Sequence, residues 1–261
     1  MEKLKLTILN DNIAGRNCRA EHGLSFLVEA DQQFLFDTGS SDLIFYNAEK
    51  LGIDLHQVET IVLSHGHDDH TGGLYAFNGQ TLVCHPETFA RRFRKRNGTA
   101  LGIRVSLVEA QQKFKLRMSK EPLRLSAQVW FLGEIPRNNS FESQQTAFRF
   151  EDGTDDFIPD DSGLAVLTDR GVVVISGCAH SGICNMTEHA LGVTGETRVL
   201  AVVGGFHLQK NDEVTRQTIA RLQELGVGQA IPSHCTAFEA QAAFYQIFPF
   251  EPLKSGNVLY F

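Results

Sequence analysis

The segment Ser64-His65-Gly66-His67-Asp68-Asp69-His70-Thr71-Gly72-Gly73 brings four candidate metal ligands, His65, His67, Asp69 and His70, within six positions. Imidazole and carboxylate suit zinc, iron or manganese, and no other side-chain chemistry accounts for so dense a cluster. The segment follows Thr60-Ile61-Val62-Leu63-Ser64, a β-branched and apolar run that reads as a buried strand. His65 and His67 are two positions apart, so an extended backbone points both to the same side. Asp69 and His70 come where a helix begins, and turn toward a second ion nearby. The bland alternative is a polar loop merely rich in histidine, and the density of ligands argues against it.

The elements around this cluster have to position it. Residues 4–9, 24–29 and 33–36 are short apolar or alternating runs separated by turn-rich stretches, and read as strands. Residues 43–51 have helical spacing and stop at Gly52, a suitable C-terminal cap. Residues 86–125 are less regular, and their basic run Arg91-Arg92-Phe93-Arg94-Lys95-Arg96 is expected on a helix after Pro86, chiefly as a solvated face, with attraction of an anionic substrate as the sharper reading. Residues 128–132 read as a strand. Residues 137–161 form an acidic stretch expected to be a long loop or a short hairpin, and loops of that length often act as lids. Phe141, Phe148, Phe150 and Phe157 lie in it, as an apolar lid or as a small satellite core.

The second half is regular. Strands at 164–168 and 172–176 are joined by the turn Asp169-Arg170-Gly171. A helix (about 183–191), strand (199–203), helix (211–225), strand (229–231) and helix (236–246) follow, and residues 258–261 close a sheet. Strand-rich openings followed by alternating strands and helices indicate an α/β sandwich. With no strong repeat and no linker, residues 1–261 are expected to form a single domain with an irregular insertion around 86–161.

The 261 residues are 42% hydrophobic and 21% charged, which is ordinary globular composition. A net charge of -7 argues against nucleic acid or an anionic membrane as partner, since either calls for a basic face. No run reaches the roughly 18 apolar residues of a membrane span. The start, Met1-Glu2-Lys3-Leu4-Lys5-Leu6-Thr7, reads as entry to a strand and lacks the features of a signal peptide. Five scattered cysteines do not form a disulfide framework, so a cytoplasmic location is expected. A small-molecule substrate is the expected partner; oligomeric state is left open.

His-x-His-x-Asp-His after an apolar strand resembles the signature of the metallo-β-lactamase superfamily, and Asp37-Thr38-Gly39 stands where that family has an Asp-x-Gly turn. The resemblance spans nearly the whole chain. It implies a four-layer αββα sandwich and two divalent metal ions, zinc first, with manganese or iron as alternatives. His65 and His67 would serve the first ion and Asp69 and His70 the second. Ile231-Pro232-Ser233-His234-Cys235-Thr236 corresponds to the family's last histidine motif, which assigns His234 to the second ion. Two departures stand out. Cys178, in Gly177-Cys178-Ala179-His180, replaces the usual metal-bridging aspartate, and Asp160-Asp161-Ser162-Gly163 replaces the usual His-Thr-x-Gly. His180 is read as the substitute third histidine of the first ion, while metal contact by Cys178 or Asp161 stays open.

Gly177-Cys178-Ala179-His180-Ser181-Gly182-Ile183-Cys184-Asn185, Gly204-Gly205-Phe206-His207-Leu208 and Ser233-His234-Cys235-Thr236, in that order, resemble the branch named for the dihydropterin–ribofuranosylaminobenzene phosphate synthase of methanopterin biosynthesis. One branch can host several substrates, so the motifs identify the reaction less firmly than the branch. His207 follows a buried strand and either faces the substrate or is hydrogen-bonded at the strand end. His22, His56, His85 and His189 are isolated and read as surface or packing residues. The leading expectation is a dinuclear metal-dependent hydrolase acting on an ester, phosphoester or related bond of a small anionic metabolite. In it Asp69 orients a metal-activated hydroxide and His207 donates to the developing oxyanion. One alternative is a pterin-type transferase joining a dihydropterin methyl diphosphate to an aminobenzene ribofuranosyl phosphate; another is a metal-binding sensor without turnover.

Overall fold

The structure is a computed structural model that describes residues 3–261; Met1 and Glu2, the first part of the stretch read as strand entry, lie outside the described residues. The first half runs β1 (Lys5–Asn10), β2 (Ser25–Glu29), β3 (Gln33–Phe36), α1 (Leu43–Leu51), β4 (Thr60–Val62), α2 (Asp68–Thr71), β5 (Thr81–Cys84), β6 (Arg92–Arg94), α3 (Leu107–Lys113) and β7 (Lys115–Met118). The second runs β8 (Leu123–Arg124), β9 (Val129–Phe131), β10 (Phe148–Phe150), β11 (Asp155–Asp156), β12 (Gly163–Thr168), β13 (Gly171–Ser176), α4 (Ile183–Thr194), β14 (Val199–Gly205), α5 (Glu213–Glu224), β15 (Gln229–Ser233), α6 (Phe238–Ile247) and β16 (Val258–Tyr260).

Two large sheets result, ordered β16-β1-β2-β3-β4-β5-β7 and β15-β14-β13-β12-β9-β8. Their strands are apolar on both faces because each sheet is covered on both sides. Leu6, Ile8, Phe26, Val28, Phe34 and Phe36 point inward and meet Leu164, Val166, Val173, Ile175, Ala201 and Val203 of the opposite sheet. The alternate residues Leu27, Leu35, Ile61 and Leu82 pack outward with Ile44 and Ala48 of α1 and Ala110 of α3. On the far side Ala165, Val172, Val174 and Val202 lie under Met186 of α4, Leu222 of α5 and Phe244 of α6. This period-two division fixes the register, since a one-residue slip would exchange the two faces. The architecture is the expected αββα sandwich of the metallo-β-lactamase type. Each fully buried Leu, Ile or Phe contributes about 1.5–3 kcal/mol to holding the layers together.

The region 86–161 departs from expectation at its basic run. Pro86–Phe89 form a short 3-10 turn, and Arg92–Arg94 then run as a strand, not as a helix. β6 pairs with β10, and β10 with β11, in a separate three-stranded sheet. Arg92, expected on a solvated face, is only 1% exposed. Its Nη1 and Nη2 donate to Asp160 Oδ2 and Oδ1 at 3.0 and 2.8 Å, and its Nε lies 3.2 Å from Asp156 Oδ2. A buried guanidinium needs such partners, because an unpaired charge there costs several kcal/mol. The acidic stretch thus forms a short hairpin whose carboxylates neutralise Arg92. Within the stretch that reads as less regular, α3 opens on a capping box in which Ser106 and Glu109 bond each other's backbone.

Parallel strands β3, β4 and β5 of one sheet and β13, β14 and β15 of the other all end toward the same rim of the sandwich, where Asp37, His65, Cys178, His207 and His234 follow directly. Carboxyl ends of parallel strands are where α/β folds commonly place ligands.

A histidine-rich candidate metal centre

β4 delivers Ser64 and His65 into a turn through Gly66 that leaves no room for a side chain: a Cβ there would collide with the Thr88 carbonyl. The Gly66 N–H donates to Asp160 Oδ2 at 2.7 Å, so the carboxylate that holds Arg92 also fixes this turn. His67 precedes the short helix α2, which carries Asp69 and His70. Gly177 is similarly confined, since a Cβ would meet the Ser64 hydroxyl, and this brings the Cys178 loop against the His65 loop.

The six expected ligands converge. His65 Nε2 lies 2.9 Å from His67 Nδ1, and His70 Nε2 lies 3.1 Å from His234 Nε2. Asp69 Oδ2 is 4.0 Å from His70 Nε2 and 3.5 Å from His234 Nε2, while the His180 ring sits 4.9 Å from both the His65 and His67 rings. Cys178 lies between the two clusters. Its Sγ is 3.2 Å from His70 Nε2, and its sulfur groups within 4.8 Å with ligand atoms of His65 and His180 on one side and His70 and His234 on the other. Asp161 turns away: its Oδ2 accepts the Ser181 N–H at 2.9 Å and the Ser181 hydroxyl, bracing the loop after His180.

The residues suit divalent cations. His67 Nε2 and His180 Nε2 are buried without a hydrogen-bond partner. Nitrogens facing nitrogens at about 3 Å need a proton or a cation between them, and buried imidazoles converging in this way are a donor set that suits a divalent cation. Burial, then the neighbouring His70 and His67, hold His65 well below the ordinary histidine range. Burial and His180 do the same for His67, and burial and His207 for His180. Burial outweighs the Asp69 hydrogen bond at His234, pulling it to about 4. His70 goes the other way: burial opposes its charge, but Asp69 and Asp37 raise it to about 9. Burial pushes Asp69 up, yet His70 and hydrogen bonds from His22 and His234 more than reverse this and hold it well below the carboxylate range. Burial and the nearby Cys235 keep the Cys178 thiol well above its ordinary value, so a cation beside it is what would favour the thiolate.

Outer partners fix the rings. Ser64 Oγ is 2.8 Å from His65 Nδ1, Asp37 Oδ2 is 2.7 Å from His70 Nδ1, and Asn12 Oδ1 is 3.1 Å from His234 Nδ1. Such contacts set the tautomer that leaves the other nitrogen free for metal. Asp37, Ala179, His207 and His234 all adopt positive φ, between 49° and 58°. Left-handed backbone at non-glycine residues costs energy and concentrates at functional sites. His22, read as isolated, instead belongs here: its Nε2 lies 3.1 Å from Asp69 Oδ2 and its ring stacks on His234 at 5.2 Å. Its sequence offered no signal of this. His189 and His85 are packing residues, bonded to the Leu132 carbonyl and to the Glu87 N–H.

Two cavities adjoin at the centre. One, about 430 Å³, is lined by His22, His67, Asp69, Arg94, Cys178 and His234 among others. The other, about 520 Å³, runs under Phe141, Phe157, Phe206 and the loop 140–147. Ala147, Phe148, His180 and His207 line both. The loop phenylalanines therefore divide: Phe141, Phe148 and Phe157 face a cavity, and Phe148 also packs with Leu101 and Ile158 in a small core.

The sequence pattern of the metallo-beta-lactamase superfamily matches residues 19–85. Over its full length the chain is 33% identical to the 7,8-dihydropterin-6-methyl-4-(β-D-ribofuranosyl)-aminobenzene-5'-phosphate synthase of Methanocaldococcus jannaschii, covering 98% of that protein. The chain belongs to the metallo-β-lactamase superfamily. Within the superfamily it falls in the branch of that synthase, and it is an enzyme. A solved structure described as a metal-dependent hydrolase of the β-lactamase superfamily matches with a TM-score of 0.87 at 30% identity, covering 98% of each chain. Zn²⁺-bound PqqB from Methylobacterium extorquens matches at 14% identity with a TM-score of 0.59, covering 98% of this chain and 99% of that one, a likeness of fold alone.

The full-length match corrects the hydrolase expectation. The relative's name is that of a synthase, which fits the transferase alternative better than cleavage of an ester or phosphoester. The ligand motif was misleading for a physical reason: ions that steady a leaving group serve attack by an amine as well as attack by water, so His-x-His-x-Asp-His does not specify the nucleophile. Among the described residues no helix is long and apolar enough to cross a membrane.

Proposed function

We propose that the chain is a metal-dependent transferase that joins a dihydropterin methyl diphosphate to an aminobenzene ribofuranosyl phosphate. The observation that carries this reading is the full-length likeness to the named synthase. The paired cavities support it, because a ligation needs two organic partners side by side, and the cavities meet at Phe148, His180 and His207.

His65, His67 and His180 would hold one divalent ion and Asp69, His70 and His234 the other, with the Cys178 sulfur between them. Bound there, the ions would supply charge stabilisation to a departing diphosphate. Phe148 and the other aromatic side chains offer faces to the two ring systems. In the reaction the aryl amine nitrogen forms a bond to the methylene carbon of the pterin, the bond from that carbon to diphosphate oxygen breaks, and the amine loses a proton. His207 borders both cavities and is kept neutral by burial, so it is placed to take that proton. Holding the two partners together supplies much of the advantage over solution.

Metal-loaded protein is incubated with labelled dihydropterin methyl diphosphate, with and without the aminobenzene acceptor. Diphosphate release that depends on the acceptor, with one coupled product per diphosphate, is the expected result. Release at the same rate without acceptor would sink the reading.

A further inference from the structure

We propose that Arg94 is the anion anchor of the metal cavity, taking the phosphate or diphosphate oxygens of a substrate and so fixing which cavity receives the charged end. The proposal deepens the transferase reading and rests on it for the identity of the substrate. Its footing in the geometry is separate.

Among the described residues Arg94 is the sole Lys or Arg side chain lining either of the two adjoining cavities. It shares the 430 Å³ cavity with His22, His67, Asp69, His207 and His234, whereas the 520 Å³ cavity is bordered by Glu142 and Glu213. The charged end of a substrate is therefore directed to the histidine side and its rings to the phenylalanine side. Three other cations of the basic run have carboxylate partners. Arg92 is locked to Asp160, Arg91 pairs with Glu151 at 2.7 Å, and Lys95 pairs with Asp155 at 2.7 Å. Among the described residues the Arg94 guanidinium makes no ion pair or side-chain hydrogen bond, while its backbone is held by the Arg94 N–H to Thr99 carbonyl bond at 2.9 Å.

The strand places it. Arg92 and Arg94 are two apart on β6 and so project to the same face. Arg92 is fixed to Asp160, and Arg94 is paired in register with Phe148 of β10, the residue that borders both cavities. The strand fixes the Arg94 backbone, and its exposed, unpaired guanidinium offers a planar fork matched to phosphate oxygens, which a lysine would not. The chain as a whole is acidic, and Asp68 and Asp69 line the same cavity, so a phosphate needs a local cation beyond the ions themselves.

The test is calorimetric titration of metal-loaded protein with inorganic diphosphate and, separately, inorganic phosphate, for the parent, Arg94→Gln, Arg94→Lys and, as a surface control, Arg117→Gln. Arg94→Gln is expected to weaken diphosphate binding about tenfold or more, with Arg94→Lys intermediate and Arg117→Gln unchanged. Steady-state arms then separate the sources. A KM raised for the dihydropterin diphosphate points to the leaving group, and a KM raised only for the phosphorylated acceptor points to its phosphate. Equal anion affinity in the parent and Arg94→Gln overturns the proposal. If Arg94→Gln loses anion affinity but the parent couples no pterin, the anchor stands and the transferase reading falls; if the parent couples pterin and Arg94→Gln binds and turns over as the parent does, the anchor falls alone.

Discussion

Asp37 Oδ2 sits 2.7 Å from His70 Nδ1 and 2.7 Å from the Ser64 hydroxyl, and Asp37 Oδ1 accepts the Ser64 N–H at 2.7 Å. One fully buried carboxylate at the end of β3 thus orients a ligand of each cluster, His70 directly and His65 through Ser64. Asp37→Asn keeps the shape but replaces one acceptor oxygen by a donor. We expect it to lower metal affinity about 10–100-fold, read by competition against a chromophoric chelator. Unchanged affinity would mean that the ring orientations are fixed by packing alone.

Cys178 gives a second expectation. Cys178→Ala should lower metal affinity by about tenfold or more, and Cys178→Asp, which restores a hard anionic ligand, should recover much of it. In cobalt-substituted protein the parent should show an intense near-ultraviolet sulfur-to-metal band that both variants lack. If the band is absent from the parent, Cys178 is a packing residue and the bridge must come from elsewhere.

The lowered histidines carry a pH signature in metal-stripped protein. His65, His67, His180 and His234 have folded-state values below 6.5, the last about 4, so below pH 6.5 the unfolded chain takes up their protons and the folded chain does not. Their contribution is therefore fully present above about pH 6.5 and is lost as the pH falls. Metal-stripped His180→Asn should lose less Tm than the parent between pH 7 and pH 5. Parallel pH profiles would remove the burial argument for His180.

Arg92 provides a stability test. Arg92→Met leaves Asp160 and Asp156 buried without their cation and should cost about 3–5 kcal/mol in chemical denaturation. Adding Asp160→Asn to Arg92→Met should return part of that loss, because one uncompensated charge is gone. A double variant less stable than the sum of the two single changes would contradict the pairing.

The sandwich was legible because its strands are apolar on both faces and its second half alternates strand and helix cleanly from β13 to α6. His65, His67, Asp69 and His70 stand out as candidates because they crowd into six positions, whereas His180 and His234 are reached only through the family resemblance of the motifs around them. Other parts of the site were invisible for one reason, distance along the chain. Asn12 meets His234 across 222 positions and Arg92 meets Asp160 across 68, and neither residue carries a local pattern. His22 looked isolated because its partner Asp69 lies in a different loop. The basic run reads as a helix because arginine and lysine are good helix formers, and only the pairing of β6 with β10 reveals the strand. Cys178 could not be decided from sequence, as a single cysteine after a strand looks the same whether it fills space or binds an ion.

Asp160 joins two things that a sequence alignment would treat as separable: its carboxylate grips Arg92 of the β6 strand and, through the Gly66 N–H, the turn that presents His65 and His67. The region that shapes the substrate cavities is consequently not an interchangeable module. Transplanting β6 and its hairpin from a cousin with another substrate preference would also retune the ion-bearing turn, unless the arginine, the aspartate and the glycine travel together.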